Sequence, residues 1–157
     1  LGRAVRSGCQ CVGGGGDDGG GAGLSRRDSA RRQAVRCGGK LYAVGGYNDD
    51  GGGGCNNADG ILSSVERYDP ALDAWEAVVP MAAARDFHGM AVLDSKLYAV
   101  GGSAGIGHLS SVERYDPALD AWEAVVPMAA ARDYHAVAVL DGKLYAVGGY
   151  GLSSVER

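Results

Sequence analysis

A stretch of 25 residues occurs twice without a change, and this repeat constrains the fold more than any other feature of the chain. The string LSSVERYDPALDAWEAVVPMAAARD spans residues 62–86 and returns at 109–133, at an offset of 47 residues. The sixteen residues after each copy, 87–102 and 134–149, differ at only four positions. A period of this length is typical of repeat architectures, in which each unit buries its apolar face against the next.

Partial copies and insertions show where the unit tolerates change. Residues 39–46 match the end of the unit, and residues 152–157 begin it a third time. The segment after the Gly-Gly pair varies in length: it covers 47–61 in the first unit, 103–108 in the second and only 150–151 in the third. Length variation confined to one point of a repeat predicts a surface loop there.

The composition within a unit predicts short antiparallel strands. Apolar and aromatic runs of about five residues alternate with turn sequences such as Asp141–Gly142 and Asp116–Pro117. The unit therefore reads as a four-stranded sheet, and the fold class is all-β. The predicted strands lie near 40–45, 63–68, 74–79, 88–94, 96–101, 110–115, 121–126, 135–140 and 143–148.

A doubled glycine after an apolar strand, followed by a tyrosine and then a tryptophan seven residues later, resembles the kelch repeat. The pattern runs Gly45–Gly46, Tyr68, Trp75, then Gly101–Gly102, Tyr115, Trp122, then Gly148–Gly149. The connecting text VERYDP-x-x-D-x-W-E-x-V-x-PM-x-x-x-R is most similar to the kelch half of BTB–kelch proteins. The resemblance covers residues 33–157.

The resemblance implies an incomplete kelch-type β-propeller of about two and a half to three four-stranded blades. The repeat region, 33–157, divides into 33–79, 88–126 and a truncated 135–157. Because propellers close with four to eight blades, this chain is not expected to close a ring alone. A fragment, an assembly of several copies and a loss of repeats all remain open as explanations.

Residues 1–32 are predicted to form a disordered tail. Residues 13–23 hold eight glycines and lack side chains that could bury apolar area. Residues 1–36 carry a net charge of +4 and residues 37–157 carry −8. The acidic repeat region argues against a nucleic-acid surface, which needs a basic face. The glycine tract lacks the Gly-Lys-Ser/Thr ending of a phosphate-binding loop.

Structural roles are expected for the residues that recur in the repeat. The glycines allow positive φ and close strand approach. The tryptophans are large enough to fill the wedge between blades, with the tyrosines packed beside them. The resemblance implies that the arginines are held by hydrogen bonds on the loop between blades. The residues assigned these roles are Gly45, Gly46, Tyr68, Trp75, Arg85, Gly101, Gly102, Tyr115, Trp122, Arg132, Gly148 and Gly149.

No catalytic, metal or cofactor site is predicted, and the chain is interpreted as a non-enzyme. Cys9, Cys11, Cys37 and Cys55 show neither CxxC spacing nor a histidine at ligand spacing, so free thiols and a cytoplasmic location are expected. His88 and His135 are repeat equivalents, which suggests a shared packing role. No run of about 20 apolar residues predicts a membrane span.

The predicted function is a protein–protein interaction module. The resemblance implies the substrate-recognition part of a cullin-type ubiquitin ligase adaptor, which also requires a BTB domain not contained in this sequence. An actin-binding kelch array is the alternative, and a kelch-fold enzyme is a second one. The predicted partner is a protein client. A cullin complex is a second predicted partner, which a domain outside this chain would contact.

The resemblance also indicates where a client would bind. The segments after each Gly-Gly pair and after each inter-blade arginine would gather on one face. Two aspartates on that face predict a basic or neutral client. An open alternative has Phe87 and Tyr134 folded inward within the blades. The assigned partner-binding residues are Tyr47, Asp49, Asp86, Phe87, Ser103, Asp133, Tyr134 and Tyr150.

Overall fold

The computed structural model describes residues 31–48, 60–105 and 107–157, and its described part forms three antiparallel sheets. We name the sheets blades 1, 2 and 3 in chain order. Blade 1 contains β1 (Arg31–Cys37), β2 (Lys40–Tyr47), β3 (Val65–Asp69) and β4 (Ala74–Val78). Blade 2 contains β5 (Gly89–Leu93), β6 (Lys96–Val100), β7 (Val112–Asp116) and β8 (Ala121–Val125). Blade 3 contains β9 (Ala136–Leu140), β10 (Lys143–Val147) and β11 (Val155–Glu156).

Each blade is a meander in which consecutive strands are neighbours. Blades 1 and 2 follow the orders β1-β2-β3-β4 and β5-β6-β7-β8, and the described part of blade 3 has the three strands β9, β10 and β11. The first hairpin of blade 2 turns at Asp94 and Ser95, with φ of 50° and 60°. Two successive positive φ values are what a tight hairpin requires to match the twist of its strands. The all-β architecture with a shorter third blade is confirmed.

Two strands were not among the predicted ones: the two-residue β11 and β1, the first strand of blade 1. β1 begins at Arg31, two residues inside the segment predicted as a tail, and it pairs with β2 from Gln33↔Val44 to Cys37↔Lys40. Its sequence, RRQAVRC, contains few apolar residues, so its periodicity is weak. The pairing with β2 supplies the order that the local sequence does not. The rest of the predicted tail, residues 1–30, lies outside the described residues.

The main core lies between blades 1 and 2. Buried side chains of blade 1, including Tyr42 and Val44, pack against Leu97 and Tyr115 of blade 2. The rings of Tyr42 and Tyr115 meet edge to face with centroids 5.9 Å apart, a favourable aromatic geometry. Trp122 of β8 packs against the same cluster. Burial of these side chains holds the two blades together.

The two tryptophans have different environments. The indole Nε1 of Trp122 donates a hydrogen bond across the blade boundary to the Val79 carbonyl oxygen at 2.9 Å. Trp75, its counterpart in blade 1, is 45% exposed and packs beside Tyr68 at a centroid distance of 5.3 Å. The expected inter-blade wedge is therefore observed for Trp122, and the expectation for Trp75 is corrected. The reason is that Trp122 reaches back to the preceding blade, whereas the described part of the chain has no blade that precedes blade 1.

The Gly-Gly pairs turn the chain at the end of the second strand of each blade. Gly101 and Gly102 have φ of 57° and 97°, a region that side chains other than glycine rarely adopt. A Cβ atom on Gly101 would lie 2.5 Å from the Arg132 carbonyl oxygen. The absence of a side chain thus lets the loop from the next blade boundary approach the backbone of this turn.

Candidate functional site

Two kinds of loop meet on one face of the blades. The inter-blade segment at Asp86 pairs with the segment after the second Gly-Gly, since Asp86 N and Ser103 N donate to each other's carbonyl oxygens at 3.0 and 2.7 Å. At the next blade boundary, Tyr150 N donates to the Asp133 carbonyl oxygen at 3.0 Å. Backbone pairing therefore brings together the two kinds of segment that the sequence selected as partner-binding.

Two stacked aromatic rings lie on these loops, and one of them, Tyr134, is exposed. The rings of Phe87 and Tyr134 stack with centroids 4.0 Å apart and an interplanar angle of 21°. Tyr134 N donates a hydrogen bond to the Phe87 carbonyl oxygen at 3.1 Å, and the Tyr134 residue is 62% exposed. The Tyr134 ring is therefore exposed and does not fold inward within the blade, as one of the alternatives had it.

The backbone under this pair is strained. Phe87 has φ of 51° and Tyr134 has φ of 53°, in the left-handed region. For bulky side chains this conformation is uncommon, and it costs on the order of 1–3 kcal/mol at each position. Two equivalent aromatic residues in the same strained conformation are therefore held there by the surrounding loops.

His108 and Tyr150 extend the exposed surface. His108 Nδ1 lies 3.1 Å from Asp133 Oδ2, and its ring lies 6.4 Å from that of Tyr150, measured between centroids. Tyr150 is 77% exposed. We call the surface formed by Phe87, His108, Tyr134 and Tyr150 the aromatic face. The sequence assignment missed His108, although its place in the variable loop, outside the repeated histidine pair, was an available signal.

The two aspartates lie beneath this face rather than on it. Asp86 is 5% exposed and Asp133 is 6% exposed. Asp86 Oδ1 accepts a hydrogen bond from Phe87 N at 2.8 Å, and Asp133 is engaged by His108. The expectation that these carboxylates present acidic charge to a client is corrected, because burial and these contacts make them supports of the loops.

The remaining assigned residues belong to blade 1. Tyr47 forms a β-bridge with Ile61, and Asn48 N donates to the Gly60 carbonyl oxygen at 2.9 Å, so the base of the first insertion is closed by backbone pairing. Asp49 lies outside the described residues.

Buried arginines fix the loops below the aromatic face. Arg85 is fully buried and donates to the Gly101 carbonyl oxygen at 2.8 Å, to the Ser111 carbonyl oxygen at 3.0 Å and to Glu113 Oε1 at 2.8 Å. Glu113 also accepts hydrogen bonds from the backbone of the inter-blade segment, at Ala82 N and Ala83 N. This network joins two blades through charge-assisted hydrogen bonds.

Arg132 repeats the network at the next boundary. It is 1% exposed and donates to the Gly148 carbonyl oxygen at 2.6 Å, to the Ser154 carbonyl oxygen at 2.9 Å and to Glu156 Oε1 at 3.2 Å. The side chain of Glu156 is 23% exposed, whereas that of Glu113 is 5% exposed. The same sequence thus produces a deeply buried ion pair at one boundary and a partly solvated one at the other.

His88 and His135 occupy equivalent buried positions next to the Gly-Gly turns. The His88 ring lies beside Gly45, where a Cβ atom would be 3.0 Å from its Cε1 atom, and His135 lies in the same way beside Gly101. Burial, with contributions from Arg85 and His135, lowers the pKa of His88 to about 3. Burial and Arg132 likewise lower the pKa of His135, so both rings are neutral in the folded state near pH 7.

We expect stability to fall on acidification between pH 6.5 and pH 3. In the unfolded chain His88 binds a proton near pH 6.5, whereas in the folded chain it does so only near pH 3. The stability that the neutral His88 contributes to the fold is therefore complete above pH 6.5 and is lost progressively as the pH falls from 6.5 to 3. His88 alone should lower the free energy of unfolding by about 2 kcal/mol between pH 7 and pH 5. Urea unfolding of the chain and of His88→Gln at both pH values measures this. An unchanged pH dependence in His88→Gln would contradict it.

The described part of the chain has no cluster of side chains suited to bind a metal ion. In residues 31–48, 60–105 and 107–157, no group of three or more His, Cys, Asp or Glu side chains is arranged to hold a metal ion. No helix in this part of the chain is long and apolar enough to cross a membrane. Cys37 is a buried free cysteine, while Cys9, Cys11 and Cys55 lie outside the described residues.

Comparison with known proteins identifies the repeat. A family model described as the kelch motif matches residues 53–82, 84–129 and 131–157. The chain is 45% identical to Kelch-like protein 7 of Homo sapiens over 53 residues, 33% of this chain and 9% of that protein. It is 56% identical to Kelch-like protein 5 of Homo sapiens over 41 residues, 26% of this chain and 5% of that protein.

A plant protein matches a longer stretch. An F-box/kelch-repeat protein of Arabidopsis thaliana is 40% identical over 86 residues, 50% of this chain and 16% of that protein. The chain thus spans less than a fifth of the length of each of these relatives. The three stretches matched by the family model contain β3–β4, β5–β8 and β9–β11 respectively. Because these matches cover most of the chain and follow its blades, the chain belongs to the kelch-repeat proteins, as part of a β-propeller.

Proposed function

We propose that this chain is a protein-interaction module and that the aromatic face binds its client. The observation that carries the proposal is the stacked pair of Phe87 and Tyr134, in which Phe87 is half-buried, Tyr134 is exposed and both are held at positive φ. Strained aromatic residues on a surface contribute little to a core, and strain is commonly retained where a conformation serves binding.

The physical chemistry of the face suits a protein ligand. Aromatic side chains bury a large area at a low cost in conformational entropy, so they often act as anchors of interfaces. Tyr134 and Tyr150 are 62% and 77% exposed, and each has a hydroxyl group that can hydrogen-bond at the edge of a contact. The buried arginine networks preorganise the loops, which lowers the cost of binding.

The client is proposed to be neutral in the segment that contacts the face. Asp86 and Asp133 are buried, and Asp133 is already paired with His108 at 3.1 Å. The exposed surface consequently offers rings and hydroxyl groups rather than carboxylates. A segment with an apolar or aromatic side chain between hydrogen-bonding groups would match it.

A finer proposal concerns the pathway in which the client is recognised. We propose that the module is the client-recognition part of a cullin-type ubiquitin ligase adaptor. The support is the resemblance to BTB–kelch proteins and the similarity to Kelch-like and F-box/kelch-repeat proteins. The contact with a cullin would be made by a domain that these 157 residues do not contain.

Peptide display on the full chain tests the interaction role. Peptides selected from a random library for binding to the immobilised chain should lose affinity by about tenfold or more when Tyr134→Ala is introduced. The matched control is Leu119→Ala, which removes a side chain that is 73% exposed in the turn at the other end of the strands. Binding is measured by fluorescence anisotropy with the labelled selected peptides.

The outcome of this comparison is decisive for the location of the site. Selective loss in Tyr134→Ala and an unchanged affinity in Leu119→Ala support the aromatic face. Equal affinity for all three chains, or loss only in Leu119→Ala, would place protein binding elsewhere.

A further inference from the structure

The loop after the second Gly-Gly pair is closed by backbone hydrogen bonds. Ser103 and His108 form a β-bridge, and Ala104 N donates to the Gly107 carbonyl oxygen at 3.0 Å. Ser103 is also paired with Asp86 of the inter-blade segment through two backbone hydrogen bonds, at 2.7 and 3.0 Å. The corresponding segments of the other two units differ in length and contain no histidine. His108 is therefore held in an ordered loop and has no counterpart in the other units.

The carboxylate of Asp133 sets the orientation of the His108 ring. Asp133 Oδ2 lies 3.1 Å from His108 Nδ1, and Asp133 is buried. An ionised carboxylate only accepts hydrogen bonds, so the ring nitrogen that faces it has to carry a proton. When the imidazole is neutral, its second nitrogen, Nε2, is then a hydrogen-bond acceptor. The contact with Asp133 thus determines what the other side of the ring offers.

The acceptor nitrogen belongs to the aromatic face. The His108 side chain is 53% exposed, and no donor in the described part of the chain bonds to its Nε2 atom. The Tyr150 ring lies beside the His108 ring, at an interplanar angle of 28°. Tyr150 N donates to the Asp133 carbonyl oxygen at 3.0 Å, so both rings are attached to the same buried residue. Asp133 therefore places an aromatic ring and a hydrogen-bond acceptor next to each other.

The charge beneath the ring disfavours an acidic ligand. The Asp133 carboxylate is buried against a ring that is neutral at alkaline pH, and the adjacent Arg132 is already paired with Glu156 at 3.2 Å. A carboxylate or phosphate group of a client would meet a lone pair on Nε2 and would be repelled by the charge behind it. A client cation could not reach the buried carboxylate. A hydroxyl or amide group, by contrast, would donate a hydrogen bond to Nε2.

We propose that His108 is a specificity-determining contact of the aromatic face, and that its Nε2 atom accepts a hydrogen bond from a client side chain that carries a hydroxyl or an amide group. This inference rests on the proposed function of the face. Asp133 is a positioning residue, since it acts on the client only through the His108 ring. The client side chain beside Tyr150 is serine, threonine, tyrosine, asparagine or glutamine, and acidic and phosphorylated side chains are excluded there.

The proton position can be measured on the full chain without a client. At about pH 8 an ordinary imidazole is neutral, and nitrogen-15 NMR of the ring distinguishes its two tautomers. We expect the His108 proton on Nδ1, as the contact with Asp133 requires. A proton on Nε2 would overturn the proposal, because that atom would then be a donor.

The contact itself is measured with peptides selected from a random library on the immobilised full chain at the same pH. Peptides that lose binding to Tyr134→Ala define the binders of the aromatic face. At one peptide position we expect enrichment of hydroxyl and amide side chains. Replacing that side chain by its counterpart without a donor, such as phenylalanine for tyrosine or alanine for serine, should weaken binding by about tenfold in fluorescence anisotropy.

His108→Asn is the matched variant for this measurement. Its amide group can still donate to Asp133 and support the loop, but it has no atom at the position of Nε2. Removing the donor from the peptide should therefore leave its affinity for His108→Asn unchanged, as expected when the two groups are in contact.

Two results of the peptide experiment would overturn the role of His108 alone. One is an equal loss of affinity on the original chain and on His108→Asn, and the other is enrichment of acidic side chains at the selected position. Both would leave the aromatic face as the binding surface. Failure to select any peptide that depends on Tyr134 would contradict the proposed function and, with it, this inference.

Discussion

Replacing Arg85 with methionine should lower the free energy of unfolding by about 3–5 kcal/mol, because it leaves Glu113 as a buried carboxylate without its cation. Arg85 is fully buried and Glu113 is 4% exposed, so water cannot replace the lost guanidinium. The variant also removes the hydrogen bonds to the carbonyl oxygens of Gly101 and Ser111. Urea unfolding followed by tryptophan fluorescence measures the change.

Arg132→Met is the matched control for this prediction. It removes the equivalent hydrogen bonds to Gly148 and Ser154, but the carboxylate that it leaves, Glu156, has a side chain that is 23% exposed. We therefore expect a smaller loss of stability than in Arg85→Met. The double variant Arg85→Met/Glu113→Leu should recover part of the loss, since no buried charge remains. Equal losses in the two single variants would show that the buried carboxylate is not the cause.

The blades were predictable because the same pattern of strands and turns recurs in each copy of the repeat. The Gly-Gly turns, the hairpin at Asp94–Ser95 and the pairing of β6 with β7 follow from local turn chemistry and short apolar runs. β1 was not predicted because it forms a strand through its pairing with β2, and its own sequence has no strand pattern.

The environments of repeated residues were less predictable, because identical sequences occupy positions with different neighbours. Trp75 and Trp122 lie in identical strings, yet only Trp122 hydrogen-bonds to a preceding blade. One of the positions at which the units differ, Gly89 in blade 2 and Ala136 in blade 3, also has different neighbours in the two blades. A Cβ atom on Gly89 would lie 2.2 Å from the Val137 side chain of the next blade, whereas Ala136, at the same position of blade 3, is exposed.

The candidate site was predicted in part. The sequence selected both loops of the aromatic face, and the structure pairs them through Asp86 and Ser103. The sequence did not predict that the two aspartates are buried. An aspartate that follows a buried arginine can either support a loop or present an exposed charge, and the sequence is compatible with both. That distinction depends on tertiary packing, and so does the stacking of Phe87 on Tyr134.

Trp122→Ala should destabilise the fold by about 3 kcal/mol, the lower end of the range for truncation of a core aromatic side chain. The indole packs against the cluster between blades 1 and 2, stacks at a tilt on Tyr115 with centroids 5.1 Å apart, and donates a hydrogen bond to Val79. The lower end is expected because the side chain is only partly buried. Denaturant unfolding followed by far-ultraviolet circular dichroism avoids the loss of the fluorescent probe.

Trp75→Ala provides an internal control with the same local sequence. Trp75 is 45% exposed, so its truncation should cost about 1 kcal/mol or less. Both tryptophans follow a turn with the same residues and pack beside a tyrosine, and the difference between the two variants therefore isolates the contact between blades. Equal losses would mean that the tryptophan stabilises its own sheet, and that the adhesion of one blade to the next depends on the tyrosine and aliphatic side chains instead.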